Sequence, residues 1–181
     1  IIGARVWYVL VNCEYFLANL LEIPQMWLGG QSIQGGMIGL WLGTWLLTKK
    51  NYLTKLAIII TIMPLAQAIG RWGNFFNEEA YGSVTDLPWK LYISHTGTYH
   101  HPTFLYESVW NLLVFIIMFN LYRKVRAPLT MIGTYLILYS IGRFFLEMLR
   151  TDSLMILGYP AASIMSVIGM IVGLILLVKH F

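Results

Sequence analysis

The sequence predicts an all-α polytopic membrane protein, and three observations support that prediction. Of the 181 residues, 58% are hydrophobic and 11% are charged, and the mean hydropathy is +0.68. Soluble domains carry about 25% charged residues, so the composition excludes an ordinary water-soluble domain. The apolar residues also fall into stretches close to the roughly 20 residues that a helix needs to cross about 30 Å of hydrocarbon.

Six apolar stretches predict about six transmembrane helices in a single integral membrane domain, residues 1–181. Between the third and fourth helices, residues 73–102 are too polar to span and contain Pro88, so we expect an outer-face loop or arm there. The predicted spans are 3–20, 34–48, 53–72, 103–122, 129–149 and 156–178.

The basic residues set the predicted topology. By the positive-inside rule, links rich in Lys and Arg mark the cytoplasmic face. Alternation then puts Arg5 inside and residues 21–32, 73–102 and 150–158 outside. Most of the positive charges lie in the short links between predicted spans, where the positive-inside rule accounts for them. The pI of about 9.2 therefore does not indicate a nucleic-acid partner. The marking residues are Lys49, Lys50, Lys55, Arg123, Lys124, Arg126 and Lys179.

Three arginines depart from this rule, since Arg71, Arg143 and Arg150 fall at predicted outer helix ends. Charges embedded in a membrane cost about 2.5–3.5 kcal/mol each and usually face a bundle interior or a cavity. Arg143, Glu147 and Arg150 are spaced i, i+4, i+7 on one helical face, and Arg71 and Asn74 are spaced i, i+3. The sequence therefore predicts an anion site at the outer leaflet.

A phospholipid phosphate held between Arg71 and Arg143 suits this inventory, because guanidinium groups bind phosphate bidentately. Asn74 and Asn77 can bond hydroxyls or ester oxygens, and the nearby glutamates can hold arginines or move protons. Each feature alone has a simpler interpretation: a snorkelling arginine, a self-neutralising ion-pair ladder, or packing glycines. Their coincidence on one predicted side of the membrane favours a site.

Four sequence blocks resemble the bacterial prolipoprotein diacylglyceryl transferases: SIQGGMIGL (32–40), GRWGNFFNEEAYG (70–82), HPTFLYES (101–108) and GRFFLEMLRTD (142–152). The resemblance implies transfer of the diacylglyceryl group of phosphatidylglycerol to the thiol of a lipobox cysteine in a preprolipoprotein. It also implies a multi-pass protein of the bacterial cytoplasmic membrane whose active site lies at the outer leaflet. On this basis we expect a monomer that binds no nucleic acid and needs no cofactor or metal.

The resemblance also assigns site residues. We expect the catalytic groups to be Arg71, Arg143, Glu147, Glu79 and His101. We expect the substrates to be bound by Asn74, Asn77, Gly82, Gln34, Gly35, Gly36, Arg150, Tyr106 and Glu107.

Two departures from the family pattern affect this assignment. Many members have a histidine where this chain has Gln34, and glutamine cannot take a proton at neutral pH. Thiol activation is therefore expected from Glu147, Glu79 or His101, which the sequence does not separate. The chain begins at Ile1, and the family's first helix with its Arg-Tyr-Gly block is not seen, so we expect the sequence to be N-terminally incomplete.

Other functional classes fit less well. A non-catalytic lipid-binding protein or an anion or lipid transporter is the main alternative, although no inverted repeat supports transport. An intramembrane protease is disfavoured because no paired aspartates or serine–histidine pair lie within the spans. The single cysteine, Cys13, excludes an internal disulfide, and we expect it to be a small buried apolar residue.

Overall fold

The structure is a computed structural model that describes residues 1–30, 32–125, 127–151, 155–156 and 158–178. Arg126 and Lys179, used above for the topology, lie outside these residues, as do the side chains of Gln34 and Lys50. The chain divides into two compact units, residues 1–56 and 57–181. The single domain over 1–181 stays a prediction.

The first unit contains three helices: α1 (Ile2–Val11), α2 (Cys13–Ala18) and α3 (Ile33–Thr48). Three 3-10 turns connect or follow them, at Leu20–Glu22, Met26–Leu28 and Lys49–Asn51. Helices α1 and α3 pack closely, because a Cβ added at Gly39 would lie 3.1 Å from the Gly3 Cα. Cys13 is exposed rather than buried as predicted, since α2 buries only Phe16.

The first predicted span, residues 3–20, does not form one continuous helix. The helix ends at Val11, and Asn12 leaves helical geometry with φ −111° and ψ 37° while its side chain donates to the Tyr8 carbonyl at 2.9 Å. The buried Arg5 guanidinium donates to the carbonyls of Glu22 at 2.6 Å, Ile23 at 2.9 Å and Gly29 at 2.7 Å. Arg5 therefore lies beside residues 22–29 rather than across the membrane from them, because irregular backbone supplies the acceptors that a buried arginine needs.

Four helices are long and apolar enough to cross a membrane, among the described residues. They confirm four predicted spans, whereas the predicted span 34–48 corresponds to the 16-residue α3, which is shorter. The four helices are α4 (Tyr52–Phe76), α5 (Thr103–Lys124), α6 (Pro128–Glu147) and α7 (Ala161–Val178).

The prediction that the polar segment between α4 and α5 does not span the membrane is confirmed. The first residues of the predicted segment belong to α4, which ends at Phe76. It contains an antiparallel hairpin of β1 (Leu91–Ile93) and β2 (Thr98–His100), in which Leu91 pairs with His100. A second short hairpin, β3 (Met155–Ile156) and β4 (Tyr159–Pro160), joins α6 to α7.

Side-chain hydrogen bonds hold α4, α5 and α6 together within the second unit. Ser108 on α5 donates to the Ala68 carbonyl of α4 at 2.9 Å, and Trp110 Nε1 donates to the Leu138 carbonyl of α6 at 3.0 Å. In an apolar surrounding such bonds hold helices together, because the polar groups find no water there. They fix the second half of α4, the start of α5 and the middle of α6 as neighbours.

Candidate active site

The carboxylate of Glu107 lies at the centre of an arginine cluster. Glu107 is in the second turn of α5, and its side chain is 4% exposed. Arg71 Nε of α4 lies 2.6 Å from Glu107 Oε2, and Arg143 Nη1 of α6 lies 2.9 Å from Glu107 Oε1. Arg150 Nη1, just beyond α6, lies 3.7 Å from the same Oε1. One carboxylate therefore gathers arginines from two different helices and a loop.

Glu147 is the second carboxylate of the cluster. Its Oε2 lies 2.5 Å from Arg143 Nη2, a charge contact without hydrogen-bond geometry. The i, i+4 spacing therefore does bring Arg143 and Glu147 together, but Arg150 turns to Glu107 rather than completing a ladder on α6. We call these five residues the arginine cluster: Arg71, Glu107, Arg143, Glu147 and Arg150.

The cluster has the charge and the exposure of an anion site. Three guanidinium groups and two carboxylates leave one net positive charge. The side chains of Arg71, Arg143 and Arg150 are 24%, 18% and 13% exposed, whereas the two carboxylates are 4% and 2% exposed. The solvent-accessible groups of the cluster are therefore the guanidinium groups, and the carboxylates that contact them are buried.

Gly82 attaches the polar segment to the end of α6. Its N–H donates to the His101 carbonyl at 3.0 Å, and the neighbouring Ser83 N–H donates to the Leu149 carbonyl at 2.9 Å. A Cβ at Gly82 would lie 2.7 Å from the His101 Cβ and 2.9 Å from the Leu149 oxygen. Glycine is required here for close backbone approach, which also places the backbone beside Arg150.

Two further predicted site residues, His101 and Tyr106, are in contact with each other. His101 Nδ1 lies 3.3 Å from the Tyr106 hydroxyl, which accepts a 2.7 Å hydrogen bond from Trp89 Nε1. Tyr106 precedes Glu107 on α5, so this polar network lies next to the cluster along the helix. Trp89 is not among the predicted site residues.

The structure places Glu79 and Asn77 outside the arginine cluster. Both are exposed, and Asn77 Nδ2 donates to Glu79 Oε1 at 3.3 Å. Glu79 lines a separate cavity of about 310 Å³ together with Tyr81, His95 and Thr151. Asn74 is half-buried near the end of α4, and its carbonyl accepts the Glu79 N–H at 3.0 Å.

Glu78 was not predicted as a site residue, and it lines the same cavity. Its carboxylate accepts hydrogen bonds from the Ser94 hydroxyl at 2.6 Å and the Ser94 N–H at 2.9 Å. These bonds, the hydroxyl first, lower the pKa of Glu78, and the nearby His95 adds to the effect. Glu78 has φ +50°, an unusual backbone conformation for a residue other than glycine.

The glycine pair of the first block lies in the first unit. Gly35 is buried against α1, where an added Cβ would overlap the Gly3 oxygen and the Trp7 Cβ, so its absence of a side chain serves helix packing. Gly36 is half-buried in the same helix. The side chain of Gln34 lies outside the described residues, and substrate binding by these three residues stays a prediction.

Asn111 lies beside the arginine cluster and was not predicted from the sequence. It lies one turn after Glu107 on α5, is 4% exposed, and its Oδ1 has no hydrogen-bond partner among the described residues. It lines a small cavity of about 10 Å³ with Arg71, Glu107, Tyr139 and Arg143. The i, i+4 spacing of Glu107 and Asn111 within an apolar stretch was the available signal.

Comparisons with known proteins identify the family of the chain. The family model for prolipoprotein diacylglyceryl transferase matches residues 1–179. The chain is 46% identical over 178 residues to the phosphatidylglycerol–prolipoprotein diacylglyceryl transferase of Clostridioides difficile, covering 97% of this chain and 71% of that protein. It is 44% identical to the protein of that name from Clostridium novyi, covering 99% and 74%.

A more distant relative of the same name, from Thermotoga maritima, is 41% identical over 189 residues, covering 96% of this chain and 64% of that protein. No solved structure matched the chain. The family match over nearly the whole chain and the identity to these relatives agree with the four sequence blocks. The chain belongs to the prolipoprotein diacylglyceryl transferase family.

Proposed function

We propose that this chain transfers the diacylglyceryl group of phosphatidylglycerol to the thiol of the lipobox cysteine of a preprolipoprotein, the first step of lipoprotein maturation. The names of its relatives support both substrates. The single observation that carries the proposal is the convergence of the partly exposed Arg71 and Arg143 guanidinium groups on the buried carboxylate of Glu107. A phosphodiester head group is the kind of anion that guanidinium groups bind with paired hydrogen bonds.

The reaction is a displacement at a glycerol carbon. The thiolate sulfur forms a C–S bond as the C–O bond to phosphate breaks, and the phosphate ester leaves with an added negative charge. The guanidinium groups of Arg71 and Arg143 stabilise this growing negative charge. They need not move during the reaction, because Glu107 already holds them in place. The buried carboxylates thus act as positioning groups, and the guanidinium groups contact the substrate.

The thiol proton needs an acceptor, because the thiolate is the nucleophile. Of the three candidates, Glu147 is already paired with Arg143, which assigns it a positioning role. Glu79 lines an open cavity, and His101 lies beside the Tyr106 hydroxyl. We propose that one of these two residues takes the thiol proton. Substituting each in turn distinguishes between them.

We propose that the cluster lies at the outer leaflet of the bacterial cytoplasmic membrane in a monomer. Glu107 lies in the first turns of α5, and Arg123 and Lys124 end that helix. The 16 residues from Glu107 to Arg123 correspond to about 24 Å of helix. The basic end suits the cytoplasm by the positive-inside rule, which leaves the cluster at the opposite face.

The direct test reconstitutes the full-length protein with phosphatidylglycerol and a synthetic lipobox peptide and records the peptide mass. We expect a gain of one diacylglyceryl group that disappears when the lipobox cysteine is replaced by serine. Arg143→Ala should abolish the gain, whereas Arg123→Ala, at the far end of α5, should keep it. Lipid binding without any mass gain would contradict transfer and favour a lipid-binding or transport protein.

A further inference from the structure

Two polar side chains lie within the spans, close to the arginine cluster, and the proposed reaction uses neither of them. They are Gln67 of α4, which is half-buried, and Tyr135 of α6, which is 7% exposed. We propose that these two residues, the Gln–Tyr pair, are positioning residues that hold α4 against α6. The guanidinium groups of Arg71 and Arg143 can then converge on one phosphate. The inference rests on the proposed function.

Hydrogen bonds join the Gln–Tyr pair across the two helices. Gln67 Nε2 donates to the Tyr135 hydroxyl at 3.0 Å, and the hydroxyl lies 3.2 Å from Gln67 Oε1. The hydroxyl also lies 3.5 Å from the sulfur of Met63, one turn earlier on α4. Because a hydroxyl carries one hydrogen, it donates to Oε1 or to the sulfur. Either bond joins α6 to α4.

Helical spacing places the Gln–Tyr pair next to the arginine cluster. Gln67 precedes Arg71 by four residues on α4, so the two side chains share a face. The four residues correspond to about 6 Å of helix. On α6, Tyr135, Tyr139 and Arg143 follow one another at intervals of four residues and share a face in the same way. A displacement at the pair therefore reaches both guanidinium groups within one or two turns.

Tyr139 connects the Gln–Tyr pair to the cluster. Its ring stacks on the Tyr135 ring, with the centroids 5.7 Å apart and the planes at 27°. Tyr139 also lines the small cavity of about 10 Å³ that Arg71 and Arg143 line. Holding the Tyr135 ring in place therefore holds one wall of the cavity beside the guanidinium groups.

Stability alone does not account for a glutamine and a tyrosine at this depth. A polar side chain within a span is costly, and hydrogen bonds between membrane helices add little stability on average. An apolar pair of similar shape would fill the same space without burying polar groups. The hydrogen bonds instead fix the separation and register of α4 and α6 more narrowly than apolar packing does.

Removing both polar groups together separates positioning from stability in the full-length protein. Tyr135→Phe alone leaves the Gln67 amide without this partner, so we expect a lower melting temperature and slower transfer. Gln67→Leu/Tyr135→Phe should restore the melting temperature but leave kcat/KM for phosphatidylglycerol about 10–100-fold low, because small displacements in a site slow the reaction. Tyr122→Phe is the matched control, since it removes the same hydroxyl from a half-buried tyrosine at the far end of α5.

Three outcomes of this experiment would overturn the inference. Recovery of transfer together with the melting temperature in the double variant would give the Gln–Tyr pair a structural role only. A double variant that does not recover its melting temperature would assign the pair to stability. Unchanged transfer in every variant would show that the pair does not act on the cluster.

Spin labels report the arrangement of α4 and α6 without turnover. The labels are attached through Ile69→Cys and Phe145→Cys, in a background without other cysteines, because both side chains are exposed near the cluster. We expect double electron–electron resonance to give a distance distribution at least twice as broad in Gln67→Leu/Tyr135→Phe as with the pair intact. Tyr122→Phe should keep the narrow distribution. Equal widths in all proteins would overturn the inference.

The distance measurement does not need transfer, so the two proposals fail separately. A broadened distribution in a protein that transfers no diacylglyceryl group would keep the Gln–Tyr pair as the positioning residues of an anion site and overturn the transferase proposal. Transfer at the full rate in the double variant would keep the proposed function and overturn the inference.

Discussion

Arg71 on α4 and Glu107 on α5 form a 2.6 Å ion pair whose carboxylate is almost wholly buried. The other oxygen of Glu107 contacts Arg143 of α6 at 2.9 Å, so a single side chain joins three helices. Removing one partner of a buried pair leaves uncompensated charge, which is far more costly than losing a surface pair. The stability of the site and its affinity for an anion are therefore linked through Glu107.

Glu107→Gln should lower both stability and transfer. The substitution keeps the shape but raises the net charge of the cluster from one to two and weakens its three arginine contacts. We expect a loss of about 3 kcal/mol in stability, measured by thermal unfolding in detergent. Asp86→Asn is the matched control, because Asp86 is fully exposed and its pair with Lys90 is 3.5 Å long; an equal loss in both variants would refute the central role of Glu107.

Arg143→Lys should behave almost like Arg143→Ala in transfer. The guanidinium contacts Glu107 with Nη1 and Glu147 with Nη2, and one ammonium group cannot bridge both in that planar geometry. We expect kcat to fall by about 10²–10³-fold, as when a preorganised donor is lost. Arg71→Ala should also abolish transfer, whereas Arg123→Lys should not. Near-normal turnover of Arg143→Lys would show that charge alone suffices.

The proton acceptor can be identified from pH profiles of Glu79→Gln and His101→Gln. The substitution of the true acceptor should remove the acidic limb of the kcat/KM profile, while the other variant keeps it. Measurement of peptide transfer between pH 5 and 9 decides between the two. Retention of the limb in both variants would exclude both residues.

The contact between Glu78 and Ser94 should weaken in acid. Because the folded-state pKa of Glu78 is lowered, the stabilisation is complete above the unfolded value of about 4.3 and is lost as the pH falls through the folded value. Hydrogen exchange of residues 78–95 should therefore quicken in acid relative to pH 7, after correction for intrinsic rates. Ser94→Ala should be already faster at pH 7 and change less with pH.

Asn111→Leu should impair lipid use without destabilising the protein. The Asn111 Oδ1 is buried and has no hydrogen-bond partner within the described parts of the chain, and removing an unsatisfied polar atom is neutral or stabilising by about 1–2 kcal/mol. Its place beside Arg71 and Arg143 predicts a higher KM for phosphatidylglycerol. A lower melting temperature with unchanged KM would instead assign Asn111 a purely structural role.

The sequence predicted the parts of the structure that depend on local patterns. Apolar length identified α4 to α7, and the i, i+4 spacing correctly paired Arg143 with Glu147. Glu107 was recognised as a candidate but not as the centre, because its partners come from residues 36 positions before and after it. No spacing rule connects side chains on separate helices.

The break at Asn12 and the position of Arg5 were also beyond local patterns. A continuous apolar stretch predicts one span, yet one arginine within it needs several carbonyl acceptors, and these come from residues 22–29. Arg5 can reach these carbonyls only because the chain after α1 turns back towards it. A hydropathy pattern along the sequence does not predict such a turn.

The surplus positive charge of the arginine cluster bears on turnover as well as on the reaction. Phosphatidylglycerol enters with one negative charge, whereas the released glycerol phosphate is a monoester with a charge of about −1.5 to −2 near pH 7. Guanidinium groups that Glu107 holds in place favour the more highly charged product over the substrate head group. We therefore expect glycerol phosphate to compete with phosphatidylglycerol for these arginines.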